Sequence, residues 1–419
     1  MLKISLCMIV KNEATHLDRC LQSVKGLATE IIVVDTGSSD ATVDIARSHG
    51  AEVHFFEWCD DFSLARNAAI EKAQGDWVLL LDGDEWLPDD AAETWPSILS
   101  DPQFEGAVVL NAQVGPPEDA TVFKRLLFRN HQHLRFVGKV HEKLELLSAE
   151  QSGEQSGEPK RFDCFPLRVF HQPLSQDAAQ TKALWYLALI KSEFKQTGLS
   201  WARQAELWQH QADAEETLGK KEVALSSLQT AWRCYEQSFL PESDLFGTFL
   251  LSRLILLELQ TEAPELQSHI LALLKRAPER FEGWFFQAYS LLLLGQSNLG
   301  MAPLKEALLR RKHLQPLWQF RLDLLLARYS LLQGASQQGE EILLRLLALA
   351  PQAELVWHLL RASLLTNMAL TSDTDRLWQS LGERKPPQPR LQAQRLLREG
   401  LWSPEERRSL VRLGKGFKG

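Results

Sequence analysis

Four short apolar runs constrain this chain most: "KISLCMIV" (3–10), "EIIVVD" (30–35), "AEVHFFEW" (51–58) and "DWVLLLD" (76–82), separated by helical segments. Such runs read as strands buried on both faces, and the helices between them supply the crossovers that parallel pairing needs. A parallel α/β sheet follows. "GAVVLNAQV", "VFKRLLFRN" and "PLRVFH" extend it to about Gln172.

From about Leu174 the pattern changes to long helical segments rich in Leu, Ala, Gln and Trp. Trp208, Gly219, Ala224 and Ala231 fall where tetratricopeptide repeats place their tryptophan, turn glycine and small packing residues. Trp284, Gly295 and Ala307 repeat the pattern, and Gly334, Pro351 and Trp357 continue it. The three tryptophans are spaced by close to twice the roughly 34-residue period of such repeats. Because one helix pair cannot bury its own apolar face, a stacked solenoid is expected over 174–419. The α/β domain is expected over 1–173, with a flexible loop at about 148–160 where "EQSG" nearly repeats.

A chain of 419 residues, 45% hydrophobic and 24% charged, has the composition of a globular protein with more than one core. Its formal charge of -8 gives no overall pull toward nucleic acid or anionic lipid. Nucleic acid is therefore not an expected partner. Five scattered cysteines with no CxxC spacing indicate neither zinc nor a disulfide framework, which fits a reducing cytosol. The N-terminal run lacks a signal-peptide cleavage site, and no window reaches the roughly 18 apolar residues of a transmembrane helix. A cytoplasmic location is expected, with any membrane contact peripheral at the inner face.

Within this frame one strand ends abruptly on Asp82, Asp84 and Glu85. Crowded carboxylates raise one another's pKa unless a cation or a proton holds them. In an extended chain residues two apart point the same way, so Asp82 and Asp84 would address one hard divalent ion, Mg²⁺ or Mn²⁺, together with substrate phosphates. The bland alternative is a solvated acidic turn. Asp35 ends another strand, Gly37 permits a tight turn, and Ser38, Ser39 or Asp40 can cap the next helix. Ligands of open α/β sheets bind outside such strand ends. No Walker A or GxGxxG is present to hold phosphates.

"CMIVKNEATHLDRCLQSVKGLATEIIVVDTGSSDATVDIA", "DDFSLARNAAIEKAQGDWVLLLDGDEWL", "FRNHQHLRFVGKVHEKL" and "VFHQP" resemble, in order, the family 2 nucleotide-sugar glycosyltransferases. The likeness covers residues 1–172 and is greatest to a bacterial subgroup with a helical-repeat tail that includes bacteriocin S-glycosyltransferases of the sublancin type. It implies a Rossmann-like GT-A fold, a nucleotide-diphosphate sugar donor with uridine preferred, and a divalent metal. By the same resemblance Val10, Glu13, Asp35, Asp61, Arg66, Asp82 and Gly83 bind the donor. Asp84, with Asp82 and His171, binds the metal. Gly83 stands where the family more often has alanine, and Glu142 of "GKVHEKL" stands in for a Glu-Asp pair as base.

If the enzyme inverts, the acceptor attacks the anomeric carbon opposite the leaving diphosphate while Glu142 takes its proton. A cysteine thiolate would need less such help. His141 and His171 read either as metal ligands or phosphate contacts, or as structural histidines satisfied by backbone. Arg66 and Asn67 also read as a pair holding the "CDDFS" loop, Cys59 as an unpartnered thiol, and the repeat tryptophans as core. The acceptor is a protein, a peptide or a small molecule, and the solenoid offers a surface for a partner protein. A competing reading is a repeat scaffold that binds nucleotide-sugar without turnover; loss of activity in a folded Asp84→Asn variant separates the two.

Overall fold

A computed structural model of the chain describes residues 2–349 apart from 116–121, 132, 147–158, 239–244, 262, 313 and 315. Most of the loop expected at about 148–160, with Pro351 and Trp357, lies outside the described residues. The chain divides into two compact units, Met1–Leu199 and Ser200–Gly419.

In the first unit the four apolar runs become β1 (Ile4–Val10), β2 (Glu30–Asp35), β3 (Glu52–Phe55) and β4 (Trp77–Leu80). Helices α1 (Leu17–Ser23), α2 (Thr42–Ser48) and α3 (Phe62–Ile70) connect them, and the four strands pair in parallel in the order β3-β2-β1-β4. The Trp77–Leu80 strand is buried throughout, as a central strand covered on both faces must be. After it come β5 (Glu85–Trp86), α4 (Ala91–Leu99), β6 (Val108–Gly115) and β7 (Val122–Arg129). The hairpin β8 (Leu134–Val137) and β9 (Lys143–Leu146) and the long β10 (Lys160–His171) follow. β7 runs antiparallel to β4 and β6, β10 is parallel to β6, and the short β5 closes the edge antiparallel to β10. This is the expected mostly parallel sheet, with two reversed strands. The hairpin was not foreseen; its Leu134, Phe136 and Leu144 pack with Val78, Leu80 and Phe128 of the main sheet.

Helix α5 (Gln176–Glu193) belongs to this unit, so the first unit reaches past the expected change at 173/174. Its packing explains why. Glu193 Oε2 accepts from the Lys139 backbone N–H at 2.9 Å, and Trp185 and Tyr186 pack edge-on against Phe62 at 5.3 and 6.3 Å.

The second unit is all-α, with α6 (Trp201–Thr217), α7 (Lys221–Gln237), α8 (Leu245–Thr261) and α9 (Leu266–Arg276). They are followed by α10 (Phe281–Leu293), α11 (Ser297–Leu309), α12 (Pro316–Leu332) and α13 (Ser336–Leu349). The expected turn glycines Gly219, Gly295 and Gly334 have φ of 76°, 73° and 81°, a conformation that glycine adopts without Cβ strain. Each ends the first helix of a pair. Ala224, Ala231 and Ala307 are fully buried at helix contacts, so the spacing read as repeats produces paired, stacked helices.

Candidate functional site

The loops after β1 and β2 are tied together at the carboxyl ends of the strands. Asn12, at φ 57°, donates its backbone N–H to Ser38 Oγ at 2.9 Å and accepts from the Ser39 N–H at 2.8 Å. Asp40 accepts from the N–H of Thr42 at 3.0 Å and of Ala14 at 3.2 Å; of the three expected caps it is the one that addresses the start of α2. Asp35 is buried and accepts from the N–H groups of Gly37 and Ser38, both at 3.0 Å. Its carboxylate thus shapes the loop, and Thr36 beside it faces the open space.

That space is a pocket of about 510 Å³, within the size range of small-ligand sites. Val10, Glu13, Arg66, Asp82, Gly83 and Asp84, all expected from the sequence, line it. The 82–84 segment is not extended as the period-two argument assumed. It is a turn in which Glu85 N–H donates to the Asp82 carbonyl at 3.0 Å, while Glu85 Oε2 accepts from Asp82 N–H at 2.8 Å. Gly83 makes this turn and its approach to Glu13 feasible: a Cβ there would stand 2.6 Å from Glu13 Cγ.

The carboxylates fall into two groups. In the first, Asp82 Oδ2 accepts from Lys124 Nζ at 2.8 Å and Asp82 Oδ1 from Arg66 Nη2 at 3.2 Å. Lys124 also donates to Glu85 Oε2 at 2.6 Å, and Arg66 Nε to Glu142 Oε1 at 2.5 Å. Burial opposes charge on Asp82, yet Lys124 and then Arg66 hold its carboxyl well below the ordinary range. Glu85 is raised, chiefly by burial.

In the second group, neither Asp84 nor Glu13 has a side-chain hydrogen-bond or ion-pair partner among the described residues. Burial, then the charges of Asp84 and Asp82, push the Glu13 carboxyl up to about 7. Here two neighbouring acids stand in no ion pair among the described residues.

The other expected residues lie around this centre. Asp61 caps α3, accepting from Leu64 N–H at 3.1 Å and Ser63 Oγ at 2.7 Å, and its neighbour Asp60 lines the pocket. Glu142 meets the pocket through Arg66, and its Oε2 carries no hydrogen bond among the described residues. His141 has φ 48° and packs edge-on against Tyr186 at 5.1 Å. His171 pairs in register with Glu85 at the end of β10 and does not line the pocket; the next residue's N–H donates to the Asp84 carbonyl at 3.0 Å. Cys59 is an exposed free thiol.

Sequence reasoning missed Lys124 and the pocket wall formed by Trp58, Phe62, Lys182, Trp185 and Tyr186. The one signal for Lys124 was a basic residue inside the apolar run "VFKRLLF". Lys182, Trp185 and Tyr186 sit on a helix whose local pattern gives no sign of a ligand.

A sheet in the order β3-β2-β1-β4 with acids at its carboxyl ends, completed by a mixed half, defines a GT-A domain. Residues 5–139 match the model of the family described as Glycosyl transferase family 2. It is 44% identical over 188 residues to a TPR repeat-containing protein of Synechococcus elongatus, covering 43% of this chain and 45% of that one. It is 34% identical over 146 residues to the glycosyltransferase SunS of Bacillus phage SPbeta, covering 33% of this chain and 34% of that protein. The chain spans less than half the length of these curated relatives. Among solved structures, S. aureus TarS 1-349 in complex with UDP-GlcNAc is 12% identical, covers 66% of this chain and 92% of that chain, and gives a TM-score of 0.36. No helix among the described residues is long and apolar enough to cross a membrane.

Proposed function

We propose that this protein transfers a sugar from a nucleotide-diphosphate donor, UDP-linked in the first instance, to a protein, peptide or small-molecule acceptor, with inversion. The observation that carries this reading is the division of the pocket's acids: Asp82 is neutralised by Lys124 and Arg66, while Asp84 and Glu13 stand at the strand ends in no ion pair among the described residues, close enough that Asp84 helps push the Glu13 carboxyl up. The residues fit a hard divalent cation, Mg²⁺ or Mn²⁺, because carboxylates crowded without a partner are what such an ion compensates. Asp84 would hold it, with Glu13 and Asp82 adding field. Among the described residues no three or more His, Cys, Asp or Glu side chains are arranged as a metal site, so phosphate and water oxygens would complete the shell. When bound, the ion supplies Lewis-acid stabilisation of a leaving diphosphate.

The chain's own groups do the rest. The wall around Trp58 and Tyr186 gives one side of the pocket an aromatic surface that would limit water beside a bound donor. Arg66 fixes Glu142 by one oxygen, which leaves Oε2 to accept the acceptor's proton. The helical unit is the proposed docking surface for a protein or peptide acceptor, on the analogy of other stacked-helix proteins.

The test is donor turnover with Mn²⁺, scored as nucleotide diphosphate released from a panel of UDP- and GDP-sugars. Wild type should consume one of them. Asp84→Asn, shown folded by circular dichroism, should lose about 10² or more of that rate. Undiminished turnover by Asp84→Asn would remove the proposed site, and no turnover of any donor by wild type would favour a non-catalytic scaffold.

A further inference from the structure

Helix α5 lies beyond the segment that matches the family, 5–139, yet it forms one wall of the pocket. The cations that face this space are Lys11, Arg66 and Lys182. Arg66 is committed to Glu142 and Asp82, and Lys124 behind the pocket is committed to Asp82 and Glu85. Lys182 is different. It is exposed, lies in no ion pair among the described residues, and stands with its Nζ 5.6 Å from the centre of the Tyr186 ring.

Its placement is firm because the helix under it is fastened. Trp185 lies 5.8 Å from Trp58 and 5.3 Å from Phe62, ring centre to ring centre, and Glu193 accepts from the backbone N–H of Lys139 and Val140 at 2.9 and 3.3 Å. An ammonium so held opposite the Asp82-Asp84 turn faces both acids. Partial desolvation in the pocket wall lowers its proton affinity, but Tyr186, Asp82 and Asp84 raise it on balance, so it remains a cation. Lys182 in turn opposes the upward push on Glu13.

We propose that Lys182 contacts the terminal, sugar-bearing phosphate of the nucleotide-diphosphate donor from the α5 side of the pocket; this rests on the glycosyltransferase reading above. A nucleoside diphosphate entering a pocket already lined by Glu13, Asp60 and Asp84 needs more positive charge than the committed Arg66 offers, and of the two lining cations in no ion pair among the described residues, Lys11 and Lys182, Lys182 is the one carried by the fastened helix α5. During transfer the bond from the anomeric carbon to the phosphate oxygen breaks and its electron pair stays on that oxygen. The acceptor atom bonds to the same carbon and gives its proton to a carboxylate. Lys182 keeps its protons throughout and stabilises charge growing on the departing phosphate. Tyr186 acts as a positioning residue, holding the ammonium above its ring.

The experiment is calorimetric titration of wild type, Lys182→Met and Lys182→Arg with UDP, UMP, GDP and GMP at fixed Mn²⁺. For the nucleotide that wild type binds, Lys182→Met should weaken the diphosphate about tenfold or more, as loss of one charge-assisted hydrogen bond does. It should change the monophosphate little, and Lys182→Arg should restore most of the loss. Retained monophosphate binding also shows that the Met variant is folded. Unchanged diphosphate affinity, or equal losses for mono- and diphosphate, would overturn the assignment while leaving the transferase reading intact. If wild type binds none of the four, both fall together.

Discussion

Two acidic clusters, one in each unit, show what distinguishes a site from a scaffold. In the helical unit Asp213 and Glu216 of α6 share Arg253 of α8, at 2.6 and 2.8 Å, and Asp213 also takes a hydrogen bond from Gln209. Glu215 beside them accepts from Ser227 at 2.7 Å and Gln211 at 2.9 Å. Each of these carboxylates is answered. In the pocket, Asp82, Glu85 and Glu142 are answered by Lys124 and Arg66, but Asp84 and Glu13 are not. The first cluster holds helices together; the second pairs three of its five acids and leaves two, Asp84 and Glu13, without an ion pair at a cavity.

The comparison can be broken most forcefully at its arginines. The Arg66 side chain is 13% exposed and Arg253 28%, so their loss strands acids in different surroundings. Arg66→Met should destabilise the first unit by about 3–5 kcal/mol, because Glu142 is left largely buried without its ion-pair partner, while Asp82 keeps Lys124. Arg253→Met should cost the second unit about 1 kcal/mol or less in charge pairing. Urea denaturation of the two variants decides it, and equal losses would mean that the clusters are energetically alike.

A smaller effect sharpens the same contrast through pH. Burial, with the charge of Glu216, raises the Asp213 carboxyl from 3.8 to about 6 against the pull of Arg253. A carboxyl raised on folding binds its proton more tightly in the native state, so its contribution to stability is best below about 3.8 and falls as pH rises to about 6. Asp213→Asn should flatten that fall in thermal unfolding measured against pH. A slope identical to wild type would mean that Asp213 is not the group responsible.

What the sequence showed of all this follows from where the information sits. The strands and the Asp82-Asp84 pair were legible because burial and charge change sharply within one short segment, and the turn glycines because a left-handed φ leaves a local mark. Glu13 and Arg66 became legible through the family's motifs. The turn at Gly83 was read as extended chain: alternation along a strand says nothing of a carboxylate three residues on that bonds back to Asp82 N–H. Lys124 and Lys182 escaped because they come from β7 and α5, 42 residues from Asp82 in the first case, and only the folded sheet brings them near. The helix α5 itself was assigned to the repeats, since its local grammar is theirs and only Glu193, Trp185 and Tyr186 show what it packs against.

The central claim is that the unanswered acids of the pocket hold a divalent cation together with a nucleoside diphosphate. Calorimetric titration of wild type and Asp84→Asn with UDP and with GDP, each with and without Mn²⁺, tests it most directly. The account predicts that one diphosphate binds wild type only when Mn²⁺ is present, and that Asp84→Asn abolishes this dependence. Binding that is indifferent to Mn²⁺, or absent for both diphosphates in folded protein, would contradict it.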